Sequence, residues 1–166
     1  MTEQSQRANG GAAAGLEPRA QLMAMQGVAN GVVRGLLRAP VLSRFAGERL
    51  VTLYIVGRKS GRQYTVPVAY TKQGKDLLIG TPFGWGRNLR TGEPLTIRLK
   101  GRLRQADVRV FSDEDEVVAV YETMTRDNKT FANFNKVRID ADGNPNADDL
   151  HAVWRAGARA FRLTPR

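Results

Sequence analysis

The sequence predicts an α+β protein in which five or so antiparallel strands form a meander that closes into a barrel, with helices flanking it. Three observations carry the prediction. From Leu50 apolar residues recur at every second position. Short turns rich in Gly and Lys separate runs of strand length. Helical patterns stand before and after this stretch rather than within it.

Residues 1–17 are rich in Gly, Ala, Ser, Asn and Gln, and are expected to form a disordered tail ahead of a single domain over 18–166. Glu17-Pro18 opens a helix, with proline in the first turn where its missing N–H costs little. Leu22, Met25, Ala29, Val32, Val33, Leu36 and Leu37 form its apolar stripe, and Pro40 ends it before the short segment "VLSRFAG". Gly27, Gly31 and Gly35 share one face, which reads as close packing against the sheet, or with Arg34 and Arg38 as a membrane-surface or helix-pairing helix.

The β region begins with "LVTLYIVG", rich in β-branched and aromatic residues. Its partner is "QYTVPVAYT", across a turn carrying Arg58, Lys59 and Arg62. Pro67 cannot donate to a ladder, so that strand needs an edge. "DLLIG" follows a "KQGK" turn, and "PLTIRLKG" pairs with "RLRQADVRVF". "SDEDEVVAVYETMTRD" is a helix with Ser112 as its N-cap and acids in the first turn, where the dipole favours them. A loop, a short helix from about Ala147 to Arg155 and a last strand "ARAFRLTP" complete the chain.

Composition narrows the chemistry. With no cysteine there is no disulfide, zinc-thiolate site or thiol nucleophile, and with one histidine there is no Ser-His-Asp triad. His151, beside Trp154, reads as a structural residue. "IDADGNPNADDL" fails the calcium-loop pattern, since Pro145 stands where glycine is needed and His151 where glutamate is. "GWGRNL" lacks the third glycine of a dinucleotide loop, and "GRKSG" lacks the lead of a phosphate-binding Walker loop. No metal site is expected. No apolar run reaches eighteen residues and no secretory h-region opens the chain, so a cytoplasmic protein is expected. If the protein is an enzyme, an organic cofactor must carry the reaction.

Net charge is +10 at pH 7, which attracts anionic ligands and surfaces. Arg87, Arg90, Arg98, Lys100, Arg102 and Arg104 stand against Glu93 alone, while acids gather at 112–116 and 139–149. A basic side and an acidic side are expected. Three features then align: the turn Arg58, Lys59, Ser60 and Arg62; the strand "YTVPVAY"; and the loop "IGTPFGWGRNL", where small residues flank Phe83 and Trp85. Together they describe a slot for a planar ring with an anionic tail, the ring held by loop and strand and the tail by the basic turn.

"TLYIVGRKSGRQYTVPVAY" followed by "TPFGWGRNLRTGEPLTIRLKGR" resembles the deazaflavin-dependent nitroreductase family, over roughly residues 36–111. The resemblance implies a split β-barrel of the flavin-reductase type and a non-covalently held coenzyme F420, a 5-deazaflavin with a phosphate and an oligoglutamate tail. It implies that Arg58, Lys59 and Ser60, in the turn that also holds Arg62, meet the phosphate and tail. Tyr64, Thr65, Val66, Pro67, Val68 and Ala69 would run along the ring edge. Gly80, Thr81, Pro82 and Phe83 would lie beside the ring, followed by Gly84, and Trp85, Arg87 and Asn88 would close the pocket. The implied reaction is hydride transfer to a small electrophilic acceptor such as a quinone, enone or nitro compound. The product's proton would come from water or from Tyr121, and the loop through "TFANFNK" would help to select the acceptor. Split barrels of this kind pair across the barrel face, so a homodimer is also implied.

Two alternatives stay open on sequence. One keeps the fold with FMN or a lipid-like ligand; the other is a basic module for nucleic acid or an anionic membrane, using the stripe Arg98 to Arg104. No recognition helix and no aromatics interleaved with those strands argue for specific nucleic-acid binding.

Overall fold

The computed structural model describes residues 49–166. The expected tail over 1–17, the helix over 18–38 with its glycines and the segment 41–47 lie outside the described residues.

Alternation does the first work. In β1 (Leu50–Val56) the residues Val51, Leu53 and Ile55 are each at most 1% exposed, while their neighbours face the other side. The chain turns at 57–62 and returns as β2 (Gln63–Ala69), with Leu50 opposite Ala69 and Val56 opposite Gln63. Tyr70 alone separates β2 from β3 (Thr71–Gln73), which pairs with β4 (Asp76–Thr81). After a 3₁₀ turn, Gly84–Asn88, come β5 (Leu95–Leu99) and β6 (Arg102–Phe111). Helices α1 (Glu114–Asp127), α2 (Lys129–Phe134) and α3 (Ala147–Arg155) precede β7 (Arg159–Pro165).

These seven strands make one antiparallel sheet in the order β2-β1-β5-β6-β7-β4-β3. Its two edge strands are joined through a single residue, Tyr70, so the sheet must curl until its edges approach each other. The result is a half-barrel with three described helices, the α+β split-barrel class expected. It is not the simple meander. β4 carries Leu77, Leu78 and Ile79 in succession, all at most 3% exposed. A strand buried on both faces belongs inside a sheet, and β7 takes its free side while β5 crosses to β1. Pro67 does stand on an edge strand, opposite Thr52.

Two apolar clusters follow from the two faces. Inside the curl, Leu53, Ile55, Ile79, Ile97, Phe161 and Leu163 pack together, with Val66, Val68 and Trp85 against them. On the outer face, α1, α2 and α3 cover Leu78, Phe111 and Ala160 through Tyr121, Met124, Phe131 and Leu150.

The cap of α1 differs from expectation. Asp113, not Ser112, is the N-cap, and its side chain accepts no capping hydrogen bond. The Ser112 carbonyl instead accepts from Trp154 Nε1 at 2.9 Å, which ties α3 to the start of α1. Glu114, Asp115 and Glu116 do fill the first turn, and His151 Nδ1 lies 2.7 Å from Glu114 Oε1, a second tie between these helices. The helix α2 falls where a loop was expected; Asn128 caps it, its Oδ1 accepting from the N–H groups of Thr130 and Phe131.

Register also divides the charge. β1 runs toward the 57–62 turn, and β5 is antiparallel to it, so Arg87 and Arg90 lie at that same end. The β5–β6 turn, with Lys100, and the start of β6, with Arg102 and Arg104, lie at the other. The expected single basic side is therefore two basic ends, because an antiparallel strand sends consecutive cations to opposite poles.

Candidate functional site

The end carrying the 57–62 turn is built as a clasp. Arg58 donates its backbone N–H to Asn88 Oδ1 and its Nε–H to the Asn88 carbonyl, both at 3.1 Å. Asn88 Nδ2 in turn donates to the Trp85 carbonyl at 2.9 Å. Arg58 Nη2 also reaches Glu93 at 2.5 Å. The hairpin turn and the 3₁₀ turn, thirty residues apart, are thus locked together by one guanidinium and one amide.

Glycine permits the turn itself. Gly61 has φ of 65°, and a Cβ on Gly57 would come within 2.6 Å of Ser60 Oγ and 2.8 Å of the Tyr64 ring. Ser60 Oγ sits 3.2 Å from Tyr64 Oη and accepts from the Arg62 N–H. With Arg58 committed to Glu93 and Asn88, Lys59, Arg62, Arg87 and Arg90 stand exposed with no ion pair among the described residues. Four like charges on two clasped turns repel one another unless an anion lies between them.

Below the clasp, Trp85 is half-buried and stacks on Phe161, centroids 6.0 Å apart and planes 24° apart. Gly86 makes that approach possible, since a Cβ there would meet Phe161 at 2.9 Å and Thr81 at 3.0 Å. Ahead of Trp85, Pro82, Phe83 and Gly84 are exposed, and the Phe83 ring lies 6.1 Å from Phe134 at the end of α2. Phe83 is 39% and Phe134 51% exposed, so two aromatic faces meet solvent beside the clasp.

The sequence-derived set is thus brought together in part. Arg58, Lys59, Ser60, Arg62, Tyr64, Trp85, Arg87 and Asn88 share one end of the barrel. The run Thr65 to Ala69 is divided by the strand period: Val66 and Val68 pack inward, while Thr65, Pro67 and Ala69 face outward. Gly80 and Thr81 are engaged within the fold. The space above Gly80 is filled by Tyr121 and Phe131, each 2.8 Å from where its Cβ would be, and Thr81 is 2% exposed with Oγ1 accepting from the Phe83 N–H.

Tyr121 lies on the helix side of the sheet, 0% exposed and 5.2 Å from the Phe131 ring. Its hydroxyl has no hydrogen-bond partner among the described residues, and burial pushes the phenol well above its usual range. A buried, unpartnered hydroxyl costs about 1–3 kcal/mol. Tyr121→Phe is therefore expected to raise Tm, by about 2–4 °C for each kcal/mol recovered, and a thermal melt that instead shows a loss would mean that the hydroxyl has a partner. Sequence reasoning overlooked Glu93 as the partner of Arg58; the signal was its position as the lone acid in a basic stretch.

Elsewhere, a concavity lined by Arg138, Ile139, Asp140 and Asn144 lies in the acidic loop. Asp140 Oδ1 there accepts from the Asp142 and Asn144 N–H groups, so its carboxylate organises the loop. Among the described residues no group of acids and histidine is arranged to hold a metal ion, and no helix is long and apolar enough to cross a membrane.

No family model and no curated protein matches the sequence. Solved structures of similar shape exist. An F420-H2 dependent reductase (FDR-A) is 10% identical, with a TM-score of 0.42 over 69% of this chain and 93% of that one. A conserved hypothetical protein from Mycobacterium tuberculosis is 13% identical, with a TM-score of 0.44 over 72% and 74%. HutZ, a heme storage protein from Vibrio cholerae, is 14% identical, with a TM-score of 0.42 over 76% and 89%.

Proposed function

We propose that the chain is an F420H2-dependent reductase that delivers hydride to a small electrophilic acceptor, a quinone, an enone or a nitro compound. The observation that carries the reading is the clasp: four exposed, unpaired cations on two locked turns, beside a half-buried tryptophan and two exposed phenylalanines. This donor set fits a ligand that is both polyanionic and flat. FMN brings a single phosphate; a phosphate followed by glutamates spans more of the distance over which Lys59, Arg62, Arg87 and Arg90 are spread.

When bound, the reduced deazaflavin supplies the hydride. The chain supplies position and field. Lys59 and Arg62 hold the anionic tail, and Arg58 keeps the two turns at a fixed spacing through Asn88 and Glu93. Trp85 walls the ring, its own plane fixed by Phe161 beneath it. Phe83 and Phe134 offer faces to an aromatic or quinonoid acceptor and exclude water from it. With Tyr121 buried, the proton comes from solvent.

The test is turnover. F420H2 mixed with the protein and menadione, a cyclohexenone or a nitroimidazole should be oxidised faster than in buffer for at least one acceptor. Tight binding of F420 with no acceleration for any of them would make the protein a carrier rather than a reductase.

A further inference from the structure

The barrel end opposite the clasp carries charge that the reaction above does not use. Two hairpin tips lie there. β5 and β6 are joined by Lys100-Gly101, both with positive φ (48° and 77°), and β3 and β4 by Gly74-Lys75. β4, β7, β6 and β5 alternate in direction, which puts both tips at the same pole. Asp107, further along β6, is paired with Arg166, the main cause holding its carboxyl below the usual range, and Lys75 adds to it.

The acids at this end already have partners. Asp76 lies 3.7 Å from Arg162, Asp127 lies 2.5 Å from Arg49, and Asp107 is paired with Arg166. Lys72, Lys75, Lys100, Arg102 and Arg104 remain exposed with no ion pair among the described residues. Arg98 braces the tip instead, donating to Tyr54 Oη and to the Gly101 carbonyl, both at 3.1 Å. Opposite Arg98 in the ladder stands Leu103, 59% exposed.

We propose that this pole seats end-on on an anionic membrane surface, with the cations of both hairpins against lipid headgroups and Leu103, on the face of the β5–β6 tip opposite to Arg102 and Arg104, entering the interface. The inference is independent of the cofactor reading, since it uses the other end of the barrel. Charge complementarity supplies the attraction, and the aliphatic side chain at the rim is what favours a bilayer over a nucleic acid. No exposed aromatic at this pole, among the described residues, offers bases a stacking surface. Lys and Arg can lay their aliphatic stems along the acyl boundary while their charges stay at headgroup level.

The experiment is flotation of the full chain with vesicles of phosphatidylcholine and phosphatidylserine in equal parts, against phosphatidylcholine alone. The protein should float with the first and not the second. Lys100→Asn with Arg102→Gln should lower partitioning roughly 25-fold, about five-fold for each charge removed. Asn is chosen at position 100 because it tolerates the left-handed backbone found there. A matched pair away from this pole, Lys136→Asn with Arg155→Gln, changes net charge equally and should change partitioning by no more than about three-fold: Lys136 follows Phe134, which meets Phe83 at the clasp end, and Arg155 adjoins Trp154, bonded to Ser112 past the far end of β6. Leu103→Ser should weaken binding in low and high salt alike. Equal losses from both charge pairs, or no preference for phosphatidylserine, would overturn the proposal. So would retention of a DNA duplex that the hairpin pair abolishes while vesicle flotation is unchanged, which would assign the surface to nucleic acid.

Discussion

Reversing the charge at Lys59 and Arg62 together, Lys59→Glu with Arg62→Glu, should weaken F420 binding by a hundredfold or more while leaving the protein folded. A charge-assisted contact contributes about 1.5–3 kcal/mol, so losing two accounts for at least two orders of magnitude, and reversal adds repulsion. Both side chains are exposed and have no ion pair among the described residues, so Tm should stay within a degree or two. Isothermal titration beside a thermal melt separates the two effects. Arg58 should behave differently, because it is bonded to Asn88 and Glu93. Its ion pair is half-exposed and contributes less than about 1 kcal/mol, yet Arg58→Lys removes the fork that reaches Asn88 and should loosen the clasp. A binding loss at Lys59 and Arg62 no greater than at the cations of the opposite end, Lys100 and Arg102, would mean that net charge alone attracts the ligand.

Phe161→Ala is expected to have the largest effect on stability. Phe161 is 0% exposed, lies in the inner cluster on β7, and supports Trp85 from below. Truncating a buried phenylalanine costs about 3–5 kcal/mol, a large part of the 5–15 kcal/mol that separates folded from unfolded domains. Urea titration should show the midpoint fall without a change in slope. Trp85 should gain mobility and its emission should move toward that of an exposed indole. A stability loss below about 1 kcal/mol would mean that the barrel core collapses into the gap, and that Trp85 is held by the 3₁₀ turn rather than by the ring beneath it. Gly86→Val attacks the same contact from above, since its side chain would have to displace Phe161 or Thr81.

Much of the fold could be read from local pattern. β1, β6, β7 and α3 appear close to their expected bounds because each has a clean period and a clear stop. Pro67 told correctly of an edge, since the missing donor is a property of one residue. What the pattern could not show is pairing. Nothing in "DLLIG" says that its neighbour is β7, more than seventy residues away, rather than the next strand; only burial on both faces requires two partners. By pattern Tyr70 belongs to one long strand, yet there the chain passes from one sheet edge to the other. α2 was missed because its six residues are too few for a periodic signal, and its cap Asn128 was the only cue.

The site was legible to the same degree. The basic turn and the Trp85 loop stood out by composition, and the fold brings them to one end. That Arg58 has an acidic partner, and that the open side of Gly80 is occupied by Tyr121 and Phe131, depends on contacts between distant segments. Glycine in a loop announces close approach without naming what approaches.

The measurement that bears most directly on the central claim is a titration of the full chain with oxidised F420, in parallel with FMN, followed by tryptophan fluorescence in a Trp154→Phe background. Trp154 is bonded to Ser112 among the helices, so its removal leaves Trp85, at the clasp, as the sole described reporter. Saturable quenching by F420, weakened by salt and absent with FMN, is the predicted result. Quenching by FMN alone would assign the slot to a flavin, and no response to either ligand would contradict the reductase account.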